Sequence, residues 1–220
     1  MKTVFFSALT LIVLTLTGCG SDHHNDYYAP PPFYTQILSD AALDGDIARS
    51  VGGVTTTITQ GAAESYYAGF DPADGAELRA FLQFPLAGAG GVPAGAAIQS
   101  ATLDLLINSI QPNPLLGTIP IRIDLVDLDP PTLFLEDFDR ALQPALATTT
   151  IYPPIAQTDF GQHVFVDVTA LMQEAQFLGL PIFQVRILVD PGTTSGLIEI
   201  NDSTGANRAT LAPLLDVSYF

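Results

Sequence analysis

The chain has 220 residues, no tryptophan, one cysteine, and 23 acidic against 7 basic residues, for a formal net charge of −16. So acidic a surface repels nucleic-acid backbones and anionic headgroups, which excludes nucleic acid as a partner. A single cysteine excludes an intramolecular disulfide, so the fold must stand on its hydrophobic core.

The first predicted element is a leader. Lys2 gives it a positive start, and an apolar run follows from Val4 to Leu16. Spanning a bilayer takes about 20 apolar residues, so this shorter run reads as a secretory signal over residues 1–18. It ends in Leu16-Thr17-Gly18-Cys19, which resembles the lipobox of bacterial lipoproteins. Cys19 is therefore expected to carry a lipid and to make the membrane a partner. Gly20 after it, by resemblance to enterobacterial sorting, points to the outer membrane. Without Lys2, the only basic residues left are arginines.

Residues 19–33 read as a tether. Gly20 to Asp26 is polar and aperiodic, and Pro30-Pro31-Pro32 favours a stiff polyproline II spacer. His23 and His24 read as solvated tail residues rather than as a metal site.

Residues 34–220 read as a single domain with period-two alternation. Apolar residues take every second position at Leu78–Phe84, Ala101–Ile107, Ile119–Leu125, Val164–Val168, Phe183–Val189 and Leu215–Tyr219. Such alternation marks strands with one buried face, and Leu103 and Ile123 are expected in the core. Turns containing Gly and Pro separate the strands, which predicts an all-β, two-sheet antiparallel β-sandwich. One short helix is expected near 169–178, capped by Thr169 and ended by Gly179, with Leu171, Ala175 and Leu178 on one face. Residues 130–160 predict a long loop with one helical turn near Phe134–Leu142.

Chemistry enters through carboxylates and aromatics. Calcium takes hard oxygens from loops, and Asp44-Gly45-Asp46 offers two carboxylates around a glycine. Asp71 with Asp74, and Asp127 with Asp129, are further pairs, although Asp is also an ordinary turn residue. One pair cannot fill six to eight coordination positions, so other groups would have to converge on it. Tyr66 and Tyr67 are the first candidates for a sugar-stacking platform, since neighbours on a strand point to opposite faces; Tyr152 lies in the long loop. His163 reads as a strand-edge residue. With no Gly-x-Ser-x-Gly, His-Glu-x-x-His or P-loop pattern, the protein is not expected to be an enzyme.

Three stretches carry a resemblance. They are Arg79–Leu86 running through Val92–Ile98 to Gln99–Leu105, then Val166–Leu171, then Ala212–Tyr219. In order and spacing the chain resembles the DNRLRE-type β-sandwich domains, jelly-roll modules of exported microbial proteins, over about residues 40–220. Several members are carbohydrate-binding modules, so the resemblance implies polysaccharide binding. The chain departs from the family in lacking the tryptophans that many members carry in the middle loop. The expected function is a lipid-anchored, non-catalytic binding module of the envelope or cell surface. The alternative is a structural lipoprotein subunit with no small-molecule site.

Overall fold

The computed structural model describes residues 30–61, 63–190 and 195–220. Cys19, the leader and the two tether histidines lie outside them. Among the described residues, no helix is long and apolar enough to cross a membrane.

The strands are β1 (Phe33–Leu38), β2 (Gly45–Arg49), β3 (Thr56–Gln60), β4 (Ser65–Phe70), β5 (Glu77–Pro85), β6 (Ile98–Asn113), β7 (Ile121–Val126), β8 (Ala147–Thr150), β9 (His163–Asp167), β10 (Ile182–Val189), β11 (Ser195–Asn201) and β12 (Leu214–Tyr219). The helices are α1 (Thr169–Leu178), between β9 and β10, and the single turn α2 (Arg208–Leu211), before β12. All strand pairings are antiparallel.

One layer contains β1, β12, β6 and β9; the other runs β11-β4-β5-β10-β7-β8, with β2 on β5 and β3 on β2. The 16-residue β6 belongs to both layers. Its first half pairs with β12 and β9, and its second half with β11. The all-β sandwich is thus one curled antiparallel sheet folded over on itself. A bulge makes the crossover possible. Ile200 pairs with Ile107 and Glu199 with Ser109, leaving Asn108 as the extra residue. The inward parity changes there, from Leu103, Leu105 and Ile107 to Ile110, so both halves of β6 stay buried on the core side.

The alternating side chains of both layers meet in one core, in which Leu103, Leu105, Leu215 and Val217 pack with Leu82, Phe84, Ile123, Phe183, Val185 and Ile198. Leu103 and Ile123 are fully buried, as expected. Helix α1 ends at Gly179 in the left-handed conformation (φ 70°). Its other details differ from expectation. Thr169 is not the cap, because its hydroxyl accepts the Ala101 N–H of β6 (3.0 Å). Met172 joins Leu171 and Ala175 in the core, and Leu178 turns to solvent at 44% exposure.

Residues 127–146 are not a free loop. A 3-10 turn at Leu135–Phe138 lays Leu133 and Phe138 over Ile47, Phe81, Val126 and Leu128, closing the outer face of the second layer with a small second core. Arginines pin this strap. Buried Arg186 on β10 donates to the carbonyls of Asp137 and Gln143 (both 3.0 Å) and to Asp124 Oδ2 (2.9 Å). Arg122 and Arg140 also pair with Asp124, and Arg49 and Arg79 each stand 4.0 Å from the centre of the Phe138 ring.

Candidate functional site

Closing that outer face leaves the outer face of the β1-β12-β6-β9 layer open. Strand register places its side chains in rows. Tyr34, Ser218 and Ser100 form one; Gln36, Asp216, Thr102 and Asp167 the next; Leu38, Leu214, Asp104 and Phe165 the third; Leu106 and His163 end the face. A groove of about 700 Å³ runs along the β1 side, lined by Tyr34, Gln36, Ser100, Asp216 and Ser218 among others.

Two rings stand out of this face, Tyr34 at 78% exposure and Phe165 at 65%. Strand spacing of about 4.8 Å and a rise of about 3.4 Å per residue put them roughly 20 Å apart on the diagonal. The polar groups between them hold one another. Gln36 Nε2 donates to Asp216 Oδ1 (2.7 Å), the Ser100 and Ser218 hydroxyls are 2.6 Å apart, and His163 Nδ1 is 2.7 Å from Asp104 Oδ1. His163 also stacks on Phe165, with ring centres 6.3 Å apart. It begins β9, as a strand-edge residue should. Thr169 holds the Asp167 carboxyl below its ordinary range through its hydroxyl and its N–H. The rows contain carboxylates but neither lysine nor arginine.

The tyrosines singled out from sequence lie elsewhere. Tyr66 points into the core at 0% exposure and cannot serve as a platform, because β4 turns that member of the pair inward. Tyr67 faces the other way and is half-buried, paired with Glu199 and donating its N–H to Asp46 Oδ2 (3.0 Å). Tyr152 is 91% exposed on its loop. Tyr34, at the edge of the alternating region, and Phe165, in the short β9, are the exposed rings of this face, and sequence reasoning singled out neither. Phe165 had a signal, since it takes the outward position between Val164 and Val166.

Asp44 and Asp46 are interior residues, 0% and 4% exposed. Asp44 Oδ1 accepts the Gln83 N–H (2.8 Å). Burial, reinforced by the charge of Asp202, pushes the Asp44 carboxyl up to about 8, and burial raises Asp46 as well. Asp202, just past β11, is fully buried and pushed up to about 6 by burial, against the pull of Arg208. Its Oδ1 accepts from Arg208 Nη1 (3.1 Å) and from the Ser39 hydroxyl (3.4 Å). Arg208 also donates to the Ser39 carbonyl. The structure therefore faces Asp44 with Asp202, a residue that the sequence reading did not consider. Among the described residues, no three His, Cys, Asp or Glu side chains converge as a metal-ligand group.

No family model matches this chain, and no curated protein matches it. Among solved structures it is similar to "Structure of infectious bursal disease virus Gx strain" at 9% identity and a TM-score of 0.19, over 87% of this chain and 36% of that one. The chain thus spans little more than a third of that neighbour, and a likeness of this size carries no argument.

Proposed function

We propose that the protein is a non-catalytic binding module, lipid-anchored through Cys19 to the cell envelope, that holds a polysaccharide on the open face of its β1-β12-β6-β9 layer. The observation that carries this reading is the pair of exposed rings, Tyr34 and Phe165, with Gln36, Ser100, Thr102 and Asp216 between them. Flat apolar rings stack on sugar faces while amides, hydroxyls and carboxylates take up sugar hydroxyls. The carboxylates of the face favour an uncharged chain over an anionic one, since like charges repel. The reading extends the resemblance of residues 79–105, 166–171 and 212–219 to DNRLRE-type domains.

Retention of the detergent-purified full chain on insoluble cellulose, chitin, xylan and mannan tests it. An exposed ring contact is worth about 0.5–1.5 kcal/mol, so Tyr34→Ala or Phe165→Ala should weaken retention up to about tenfold. Tyr152→Ala, away from this face, should not. Retention indifferent to both ring substitutions, or absent on every polymer, sinks the proposal. The structural-subunit reading has one observation in its favour: Leu115 and Leu116, after β6, are 82% and 99% exposed. Cross-linking to an envelope protein that depends on those leucines would favour it.

A further inference from the structure

One end of the sandwich is apolar and uncharged. The connection from β5 to β6, Pro85–Ile98, consists only of Pro, Leu, Ala, Gly, Val and Ile. Hydrogen bonds fix what surrounds it. The Thr35 hydroxyl of β1 donates to the Gly90 carbonyl, and the Gly95 N–H donates to Gln176 Oε1 of α1 (3.0 Å). Ala97 and Phe220 exchange backbone bonds (3.1 and 3.0 Å), and Gln173 Nε2 donates to the Ile98 carbonyl (3.1 Å). The start of β1, the end of β12 and the end of α1 therefore gather around this loop. Phe33, the first residue of β1, is exposed and stacks on Tyr219. Phe177, in the last turn of α1, is 83% exposed, and Leu178 follows it into solvent. In a chain of net charge −16, such an end is an exception. Carboxylates mark its limits: Glu174 one turn back on α1, Asp40 with its N–H on the Gln83 carbonyl, and Asp127 and Asp129 beyond Pro181.

The point where the chain enters the fold says what covers this end. Strand β1 begins here at Phe33, and Cys19, the residue expected to carry the lipid, lies about 14 residues earlier. A stretch of that length reaches at most about 50 Å. The anchor therefore holds a bilayer within reach of Phe33, and a tether raises the effective concentration so that a weak contact suffices. The other exposed apolar pair, Leu115 and Leu116, follows the far end of β6. The 16 residues of that strand put up to roughly 50 Å between its two ends.

We propose that this end of the molecule, with Phe33, Phe177, Leu178 and the Pro85–Ile98 loop, rests on the bilayer that holds Cys19. The inference rests on the anchor reading and is independent of the glycan one. Aromatic and aliphatic side chains settle at the boundary of headgroups and acyl chains. The loop backbone needs water or a partner for its amides, which the hydrocarbon interior does not supply, so the contact is shallow. The bordering carboxylates stay in water and favour neutral headgroups over anionic ones.

The chain has no tryptophan, so one introduced tryptophan is a sole reporter. The lipidated full chain is reconstituted into phosphatidylcholine vesicles whose acyl chains are brominated near the headgroup. Emission from Phe177→Trp should shift to the blue and be quenched by the bromines. Emission from Leu116→Trp, at the opposite end, should do neither. Both positions are exposed, so neither substitution touches the core. Flotation of the wild type with the same vesicles reports on the anchor separately. A wild type that does not float overturns the anchor reading and this inference with it. A chain that floats while Phe177→Trp stays unquenched overturns the docking alone, as does quenching of Leu116→Trp in its place.

Discussion

Arg186 is the largest side chain that the structure buries completely. Its guanidinium is tolerable there because Asp124, equally buried, takes one nitrogen and two strap carbonyls take the other. Removing one partner of such a pair leaves a charge in the interior, so Arg186→Met should cost about 3–5 kcal/mol in urea unfolding. A midpoint that hardly moves would mean that Arg122 and Arg140 alone satisfy Asp124. The Asp44 carboxyl makes a second prediction. Its value is 3.8 unfolded and about 8 folded, so between those pH values the native chain binds more protons than the unfolded one. Stability should fall as pH rises from about 4 to about 8, by an amount of order 5 kcal/mol from Asp44. Asp202, raised to about 6, adds to the lower part of that window. Melting curves that improve across it would refute the assignment. The sequence made Asp44 visible through its neighbour Asp46, but Asp202 is far along the chain in an ordinary turn sequence, and only folding makes the two neighbours. Similarly, Tyr66-Tyr67 said that one ring points in; with Ala68, Gly69 and Phe70 following, nothing local said which.

Strands were legible where one face is buried and the other wet. Leu78–Phe84, Ala101–Ile107 and Phe183–Val189 alternate clearly and form β5, β6 and β10. Strands β3 (TTITQ) and β8 (ATTT) bury little and alternate nothing apolar against polar, so their pairing with β2 and β7 decides them. In β11, Leu197 and Ile198 are both buried, which erases the period. The strap over the second layer was hidden because its apolar residues answer to Phe81 and Ile47 rather than to each other. One element depends on two glycines facing across strands. Gly69 of β4 has φ +125°, and a Cβ there would lie 1.9 Å from the Gly196 carbonyl oxygen of β11. The residue thus meets both a backbone conformation that L side chains rarely adopt and a backbone wall. Gly69→Ala should destabilise by more than about 3 kcal/mol, beyond the usual range of single substitutions. A variant that melts within a degree of the wild type would show that β4 and β11 can separate without loss.

At the scale of the whole molecule, the sandwich architecture was within reach of the sequence, while the location of the open face was not. Closure of one outer face depends on residues 127–146 folding back, and that leaves the opposite face to solvent. The anchor belongs to this scale too. If Cys19 carries the lipid, Cys19→Ser should move the protein out of the membrane fraction or leave an uncleaved precursor. Fractionation and gel mobility identical to the wild type would refute it. The pairing of β1 with β12, Phe33 to Tyr219 through Leu38 to Leu214, then has a mechanical meaning. The segment expected to be a tether would join β1 at Phe33, next to Tyr34 in the first row of the proposed platform. Tension between an anchored N-terminus and a captured polymer would travel through β1, β12, β6 and β9. Strands β2, β5, β7 and β10, with most of the buried aromatic core, would lie off the line of pull and stay slack. A module strung in this way would carry its load in one layer of the sandwich and spare the other.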